Sequence, residues 1–347
     1  MTTAPTDSPP LLSVIVLNWN GAACLPRCMD ALVSQTFSDY EVLVLDNAST
    51  DHSADGLEER WVGVRVVRFE RNLGFAAANN RGAELARGRW LVFLNNDAFP
   101  QRDWLEKLAA AASAAPQYSF FASRLVYASN PEMVQATGDV VHVSGCAWPR
   151  DNGLPINQAH LEQGEVFSAC AAAAMYDRSA FLQANGFDEH FASHLEDVDL
   201  GFRLRLGGCR CLYVPEAVVV HIGSASYGVE SEHTVYQVQR NLIWMYIADM
   251  PGKLFWKYLP AHIFANLVFL IYYTLRGQGK AVWRAKLDAL RGLRLAIQRR
   301  RLVQANRKVA LEEIDRLFDH GLVSPYLLGR RGARFRTSSQ SFTRQRE

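Results

Sequence analysis

Four short runs of β-branched and aliphatic residues punctuate the first hundred positions: LLSVIVLN (11–18), EVLVLD (41–46), VRVVRF (64–69) and WLVFLN (90–95). Each is a near-continuous apolar stretch, not an apolar/polar alternation, which predicts strands buried on both faces. About 15–25 residues separate them, enough for crossover helices. The pattern therefore predicts an α/β fold with a doubly wound, mostly parallel sheet and a ligand crevice at the carboxyl ends of its strands. Further along, a helix is expected over 101–114, and two more sheet segments around 119–127 and 166–176. Gly186-Phe187-Asp188-Glu189 reads as a turn. A helix opens at His194 and ends at Gly207-Gly208, and two short strands, 211–214 and 217–222, follow.

The pattern changes beyond residue 250. Residues 254–275 are strongly apolar and aromatic but interrupted by Lys257, Pro260, His262 and Asn266, so they approach a membrane-spanning length without a clean apolar run. Between Arg276 and Lys308, 11 basic residues and one acidic residue, Asp288, are spaced among apolar positions at helical intervals. Such a basic amphipathic helix predicts a membrane-surface element facing anionic lipid. Residues 330–347 carry six arginines among small polar residues and read as a disordered tail. The expected division is a catalytic body over 1–250, a basic amphipathic helical membrane-associating region over 251–325, and a basic tail over 326–347.

Charge sharpens this division. The formal net charge of +2 sums residues 1–275, with 19 basic and 29 acidic side chains (net −10), and residues 276–347, with 18 and 6 (net +12). An acidic body without a recognition motif argues against nucleic acid as a partner. A hydrophobic fraction of 49% with 21% charged residues excludes a mostly disordered chain. The six cysteines include no paired CxxC knuckles, which argues against a zinc ribbon or disulfide scaffold and for a reducing, cytoplasmic setting. The first ten residues lack the basic and apolar regions of a signal peptide.

Candidate chemistry lies at the strand ends: Asn18-Trp19-Asn20-Gly21, Asp46-Asn47-Ala48-Ser49-Thr50-Asp51, Asn72-Leu73-Gly74 and Asn95-Asn96-Asp97. One such loop is ordinary turn chemistry; four in succession at the site-forming edge point to a ligand. Neither GxGxxG nor GxxxxGK[ST] occurs, which argues against dinucleotide hydride transfer and P-loop chemistry. Glu196, Asp197 and Asp199 crowd three carboxylates into one predicted first helical turn. A helix N-terminus favours negative charge, but mutual repulsion makes one of them a candidate general base. Asp97 at a strand end suits a hard cation bound through oxygen, and His221 beside it suits Mn²⁺ as well as Mg²⁺.

The series SVIVLNWNG, VLDNASTD, NLGFAAANN, FLNND, FDEHFASHLEDVDLGFRLRLGG and VVHIGS, in that order over residues 12–225, resembles the inverting glycosyltransferases of family 2, which have the GT-A fold. Within that family it is most similar to bacterial rhamnosyltransferase-type enzymes of O-antigen and cell-wall glycan assembly. The resemblance implies that Asn18, Trp19, Asn20 and Asp46 hold the nucleotide of an activated sugar. It implies that Asn72, Gly74 and Phe75, with Asn79 and Asn80 on the next helix, close over the donor. Asn95-Asn96-Asp97 corresponds to the family's DXD motif, Asn96 facing the donor and Asp97 binding the metal; its first position is Asn where the family has Asp. His221 matches a second metal ligand. Glu196-Asp197 corresponds to the ED motif, with Asp197 as catalytic base and Glu196 and Asp199 contacting the acceptor or orienting the helix.

The activity so implied is metal-dependent, inverting transfer of a sugar, with dTDP-L-rhamnose as the expected donor, onto a glycan or polyprenyl-diphosphate-linked acceptor at the cytoplasmic face of the cell membrane. The alternatives are a UDP-sugar donor (hexosyl or galactofuranosyl) and a non-catalytic scaffold of a glycan assembly complex. A nucleotidyltransferase is disfavoured because only Arg27 supplies a cation near the first strand end. Processive synthases of the superfamily carry QxxRW; here Gln237 and Arg240 are followed by Asn241, which argues against processive polymerisation.

Overall fold

Asn18, Asp46 and Asn95 finish three adjacent strands almost level with one another, because the strands run parallel and in register. β1 (Leu12–Asn18), α1 (Leu25–Val33), β2 (Tyr40–Asp46), α2 (Leu57–Arg60), β3 (Val64–Arg68), α3 (Phe75–Leu85) and β4 (Trp90–Asn95) alternate along the chain. Asn18 pairs with Asp46, and Leu17 with Asn95. This computed structural model describes residues 8–223 and 231–327. The expected tail therefore lies outside the described residues from 328 onward, as do the first seven positions and the last residue of VVHIGS.

The middle of the chain adds β5 (Ala98–Pro100), α4 (Trp104–Ala114), β6 (Phe120–Tyr127), β7 (Asn130–Ala136), β8 (Asp139–Val141), β9 (Ala147–Pro149), β10 (Gly164–Val166), β11 (Ala173–Asp177), α5 (Arg178–Gln183), α6 (Glu196–Leu206) and β12 (Cys211–His221). The sheet runs β10-β12-β6-β11-β4-β1-β2-β3, with β5 on β12 and β7 on β6. β11 is antiparallel to both β4 and β6, so the sheet is mixed but mostly parallel. Side chains alternate between its two faces: Val14, Val16, Val44 and Val92 enter one apolar cluster, and Ile15, Leu43, Leu45 and Phe93 the other. Burial of both faces explains the continuous apolar runs.

Three local expectations are corrected. The segment 166–176 is not one strand: β10 ends at Val166, and residues 167–172 form a buried loop before β11. Segments 211–214 and 217–222 form the single strand β12, whose register on β6 shifts between Val214 and Val218, a bulge around Pro215, which has no N–H to give the ladder. The helix expected from His194 starts at Glu196, because His194 and Leu195 hold φ of 65° and 68° in the left-handed region.

The C-terminal part comprises α7 (Glu232–Asp249), α8 (Gly252–Tyr273), a π-turn over Thr274–Gln278, α9 (Gly279–Arg291), α10 (Leu293–Ala305), α11 (Leu311–Leu317) and α12 (Ser324–Leu327). The basic stretch 276–308 is thus two main helices, not one. They part at Gly292, where a Cβ would stand 2.3 Å from the Trp244 ring. Residues 251–325 form no separate core: Leu254, Ala289, Val303, Ile314 and Phe318 pack in one cluster with Phe167, Phe191, Phe202 and Met245. The helical run Gly252–Arg291 is long and apolar enough to cross a membrane by length and composition alone, with 22% of its most apolar window buried.

Candidate active site

The strand-end loops form a cleft of about 380 Å³ at the point where the sheet's winding reverses, beside β1. Trp19, Asn47, Asn72, Gly74, Phe75, Asn96, Asp97 and His221 line it, and Ser193 to Asp197 line it as well. The sites read from the sequence therefore converge on one cavity, but not every residue reaches it.

Asn18, Asn20, Asp46 and Asn79 do not line the cleft; they build it. Asn18 is fully buried. Its Nδ2 donates to Ser53 Oγ (2.8 Å) and Ser49 Oγ (3.2 Å), and its Oδ1 accepts from Asn96 Nδ2 (2.9 Å). That one amide ties together the ends of β1, β2 and β4. Asn20 Oδ1 accepts from Thr50 N (2.8 Å), and Asp46 Oδ1 lies 3.4 Å from Asn18 Nδ2. Asn47 links to the third loop, with its Nδ2 donating to Asn72 Oδ1 (2.9 Å) and its Oδ1 accepting from Leu73 N (2.8 Å). Asn79 donates within α3 to the Phe75 carbonyl, and Asn80 holds the Phe187 backbone through both amide atoms. These interlocking side chains fix loops that carry no regular secondary structure, the form of support a preorganised site needs.

One wall is Asp97 and His221. His221 Nε2 lies 3.1 Å from Asp97 Oδ1, and His221 Nδ1 lies 2.6 Å from Gln135 Oε1. Burial would raise the Asp97 carboxyl, but the facing His221 and the Gly223 N–H outweigh it and hold the group below the ordinary carboxylate range. Among the described residues no group of three or more His, Cys, Asp or Glu side chains could enclose a metal. A carboxylate and an imidazole open to a cleft nevertheless fit a divalent ion that takes its remaining ligands from water and substrate phosphates, the habit of Mg²⁺ and Mn²⁺ in such sites.

The start of α6 supplies another part of the lining. Asp197 Oδ2 accepts from Ala171 N (3.1 Å) and Oδ1 from Val198 N (2.9 Å). Burial raises its carboxyl, and these N–H donors oppose the rise. Glu196 is raised well above the ordinary range by burial and then by Asp197. Asp139, held by the Ser168 hydroxyl at 2.8 Å, is pushed up to about 8 by burial and by Asp197. Asp197 alone of the three receives two backbone N–H bonds from neighbouring residues, so it is the group best able to stay ionised. The small residues Cys170, Ala171 and Ala172 line the cleft beside it.

Asp199 does not line the cleft, so of its two expected roles, acceptor contact and orientation of the helix, only the second fits its place. It is fully buried on another face of α6, 2.6 Å from Arg203 Nη2 and 2.7 Å from Arg299 Nη2. Burial would raise it, but the two guanidiniums hold it below the usual range. Its place is to anchor the helix. Gln135 and Asp139 belong to the site or support it and carry no signal in the sequence; the turn Ser193–Leu195 lies within the FDEHFASHLED series, where the sequence predicts no role for it.

A sequence profile of "Glycosyl transferase family 2" matches residues 13–183. The chain is 32% identical over 234 residues to the O-antigen biosynthesis protein RfbC of Myxococcus xanthus, covering 64% of this chain and 18% of that protein. It is 30% identical over 239 residues to the N-acetylglucosaminyl-diphospho-decaprenol L-rhamnosyltransferase of Mycobacterium tuberculosis, covering 63% of this chain and 78% of that enzyme. The mannosyltransferase PcManGT of Pyrobaculum calidifontis, solved with GDP-Man and Mn²⁺, shares the fold with a TM-score of 0.53 at 18% identity, over 99% of this chain and 92% of that one.

Proposed function

The chain belongs to glycosyltransferase family 2, and from that premise we propose that it transfers L-rhamnose from dTDP-L-rhamnose, with inversion, to a lipid-linked or cell-surface glycan acceptor. One observation carries the reading: the Asp97–His221 pair and the Asp197 carboxylate line one and the same cleft. The similarity to a decaprenyl-linked rhamnosyltransferase supports the sugar and the acceptor class.

Asp97 and His221 Nε2 would hold a divalent ion, which when bound neutralises charge on the donor diphosphate. Trp19, Asn72, Gly74, Phe75 and Asn96 surround the nucleotide and sugar. Asp197 accepts the proton of the acceptor hydroxyl as its oxygen bonds to the anomeric carbon and the bond to the diphosphate breaks. The products are the inverted glycoside, the nucleoside diphosphate and protonated Asp197. One displacement needs one base, worth about 10²–10⁴-fold.

The test is nucleoside diphosphate release from dTDP-L-rhamnose, UDP-glucose and UDP-galactofuranose with Mn²⁺. Fastest release from dTDP-L-rhamnose is expected. Turnover of a UDP-sugar alone would replace the donor assignment, and turnover of none would favour a scaffold.

The site works on the inner face of the cell membrane in this reading. Leu254, Tyr258, His262 and Ala265 turn one face of α8 inward, whereas Trp256, Phe264, Leu267, Ile271 and Leu275 are 52–82% exposed. Trp283, Leu287 and Leu290 of α9 are also exposed, among basic side chains. A helix with one face docked on the body and the other apolar and flanked by cations suits the interface of an anionic bilayer. Flotation with phosphatidylglycerol vesicles but not with phosphatidylcholine is expected. Failure to float with either would remove the membrane from the function.

A further inference from the structure

We propose that Asn241, clamped by Arg240, is a positioning residue for the reaction: it fixes the turn Phe191–Leu195, which forms part of the cleft wall and leads directly into Asp197. The inference rests on the reading of Asp197 as base.

Asn241 lies on α7, behind the cleft lining and not part of it, and is fully buried. Its Nδ2 stands 3.1 Å from the Phe191 carbonyl, 3.0 Å from that of Ser193 and 2.8 Å from that of His194. One amide nitrogen thus serves three carbonyls of a single turn. Its orientation is fixed from the other side, where Asn241 Oδ1 accepts from Arg240 Nε (3.0 Å) and Nη2 (2.9 Å). Arg240 Nη2 also lies within hydrogen-bond distance of the His190 and Phe191 carbonyls (3.1 and 3.2 Å) and of Gln237 Oε1 (2.7 Å). The guanidinium stacks 4.6 Å from the Trp244 ring centroid.

The turn needs such a clamp. Ala192, His194 and Leu195 hold φ of 61°, 65° and 68°, a conformation that non-glycine residues keep only when their surroundings over-determine it. It is also where displacement would matter. Ser193, His194 and Leu195 line the cleft. The Ala192 carbonyl accepts from Phe75 N (3.2 Å) on the donor side, and the Leu195 carbonyl accepts from Asp199 N (2.9 Å) in the first turn of α6. Relaxing the turn would move the carboxylate of Asp197 relative to the donor loops without touching either. Asn241 replaces the Trp of the QxxRW spacing, and an indole, with one N–H, could not serve three carbonyls. The Gln237–Arg240 pair therefore has a role here that does not require processivity.

The test uses the full chain with Asn241→Asp, which keeps the volume but turns a second oxygen toward the carbonyls, and Asn241→Ala. Donor hydrolysis is followed with dTDP-L-rhamnose and Mn²⁺, and amide hydrogen exchange is followed over 188–197. We expect kcat to fall by about 10²-fold with donor KM little changed. Exchange in 188–197 should quicken by about tenfold while β1, β2 and β4 stay protected. Unchanged exchange in that segment in the folded variants would overturn the proposal. So would a loss of kcat accompanied by faster exchange throughout the sheet, which marks a merely structural role. If wild-type protein hydrolyses no donor, the proposed function fails and the exchange measurement alone decides the positioning.

Discussion

His221 and Asp97 meet because the short strand β5 pairs antiparallel with the end of β12: His221 pairs with Ala98, and its Nε2 comes to rest 3.1 Å from Asp97 Oδ1. His221 Nδ1 stands 2.6 Å from Gln135 Oε1, so in the proposed metal site Gln135 would orient the ring and Nε2 would be the ligating nitrogen. Asp97→Ala and His221→Ala should each abolish detectable Mn²⁺ binding by electron paramagnetic resonance. Gln135→Leu should weaken it by about 10–100-fold while leaving both ligands in place. Wild-type Mn²⁺ affinity in Gln135→Leu would show that the imidazole needs no orienting partner.

Asp197→Asn separates binding from chemistry. The amide fills the same volume but cannot take a proton, so turnover should fall by at least about 10²-fold, while dTDP should protect variant and wild type equally against heat. In the wild type, burial raises this carboxyl. Activity should therefore fall, as pH drops, through a pKa above that of an ordinary aspartate. A kcat profile flat down to the usual carboxylate range would contradict the assignment.

Asp139 makes a stability prediction of definite sign. Its folded carboxyl titrates at about 8 against an ordinary value of 3.8, so the folded chain binds a proton that the unfolded chain lacks between those values. The stability this proton confers is complete below the ordinary value and lost as pH rises through about 8. Asp139→Asn mimics the protonated form and still accepts from Ser168. Its Tm should therefore exceed that of the wild type by a margin that widens from pH 5 to pH 8. A margin that stays constant or narrows would show that the proton does not sit there.

Much of the sheet and half of the site could be read from residue patterns because both depend on local order. Strands buried on both faces produce continuous apolar runs, and a parallel sheet places every strand end at one edge, so the Asn and Asp that follow the strands must gather there. Contacts set by long-range register leave no such trace. Gln135 reaches His221 across 86 residues through the β6–β7 hairpin. Asp139 meets the site only because β8 bridges to Ser168. Leu195 in a left-handed conformation contradicts its own preference, so α6 starts two residues later than the residue pattern predicts. A run of arginines shows its spacing but not which of them turn inward.

Arg299 is the clearest case of that last difference. Of the 11 basic residues in 276–308, Lys286, Arg299 and Arg300 turn toward the body and the other eight are exposed. Arg299 bridges Asp188 and Asp199 and faces Asp249, a fully buried carboxyl that burial and Asp199 raise well above its usual range. Arg299→Ala would take a shared buried cation from Asp188 and Asp199, leaving Arg203 alone on Asp199, a loss of about 3–5 kcal/mol, and Tm should fall accordingly. Arg294→Ala and Arg301→Ala remove exposed charges and should change stability by no more than about 0.5 kcal/mol. If the exposed cations face anionic lipid, however, each should weaken vesicle binding by about 1 kcal/mol, roughly fivefold. The two measurements divide one basic stretch into residues that hold α10 against α6 and residues that would face the proposed bilayer. A small Tm change in Arg299→Ala, or a large one in Arg294→Ala, would show that division to be misplaced.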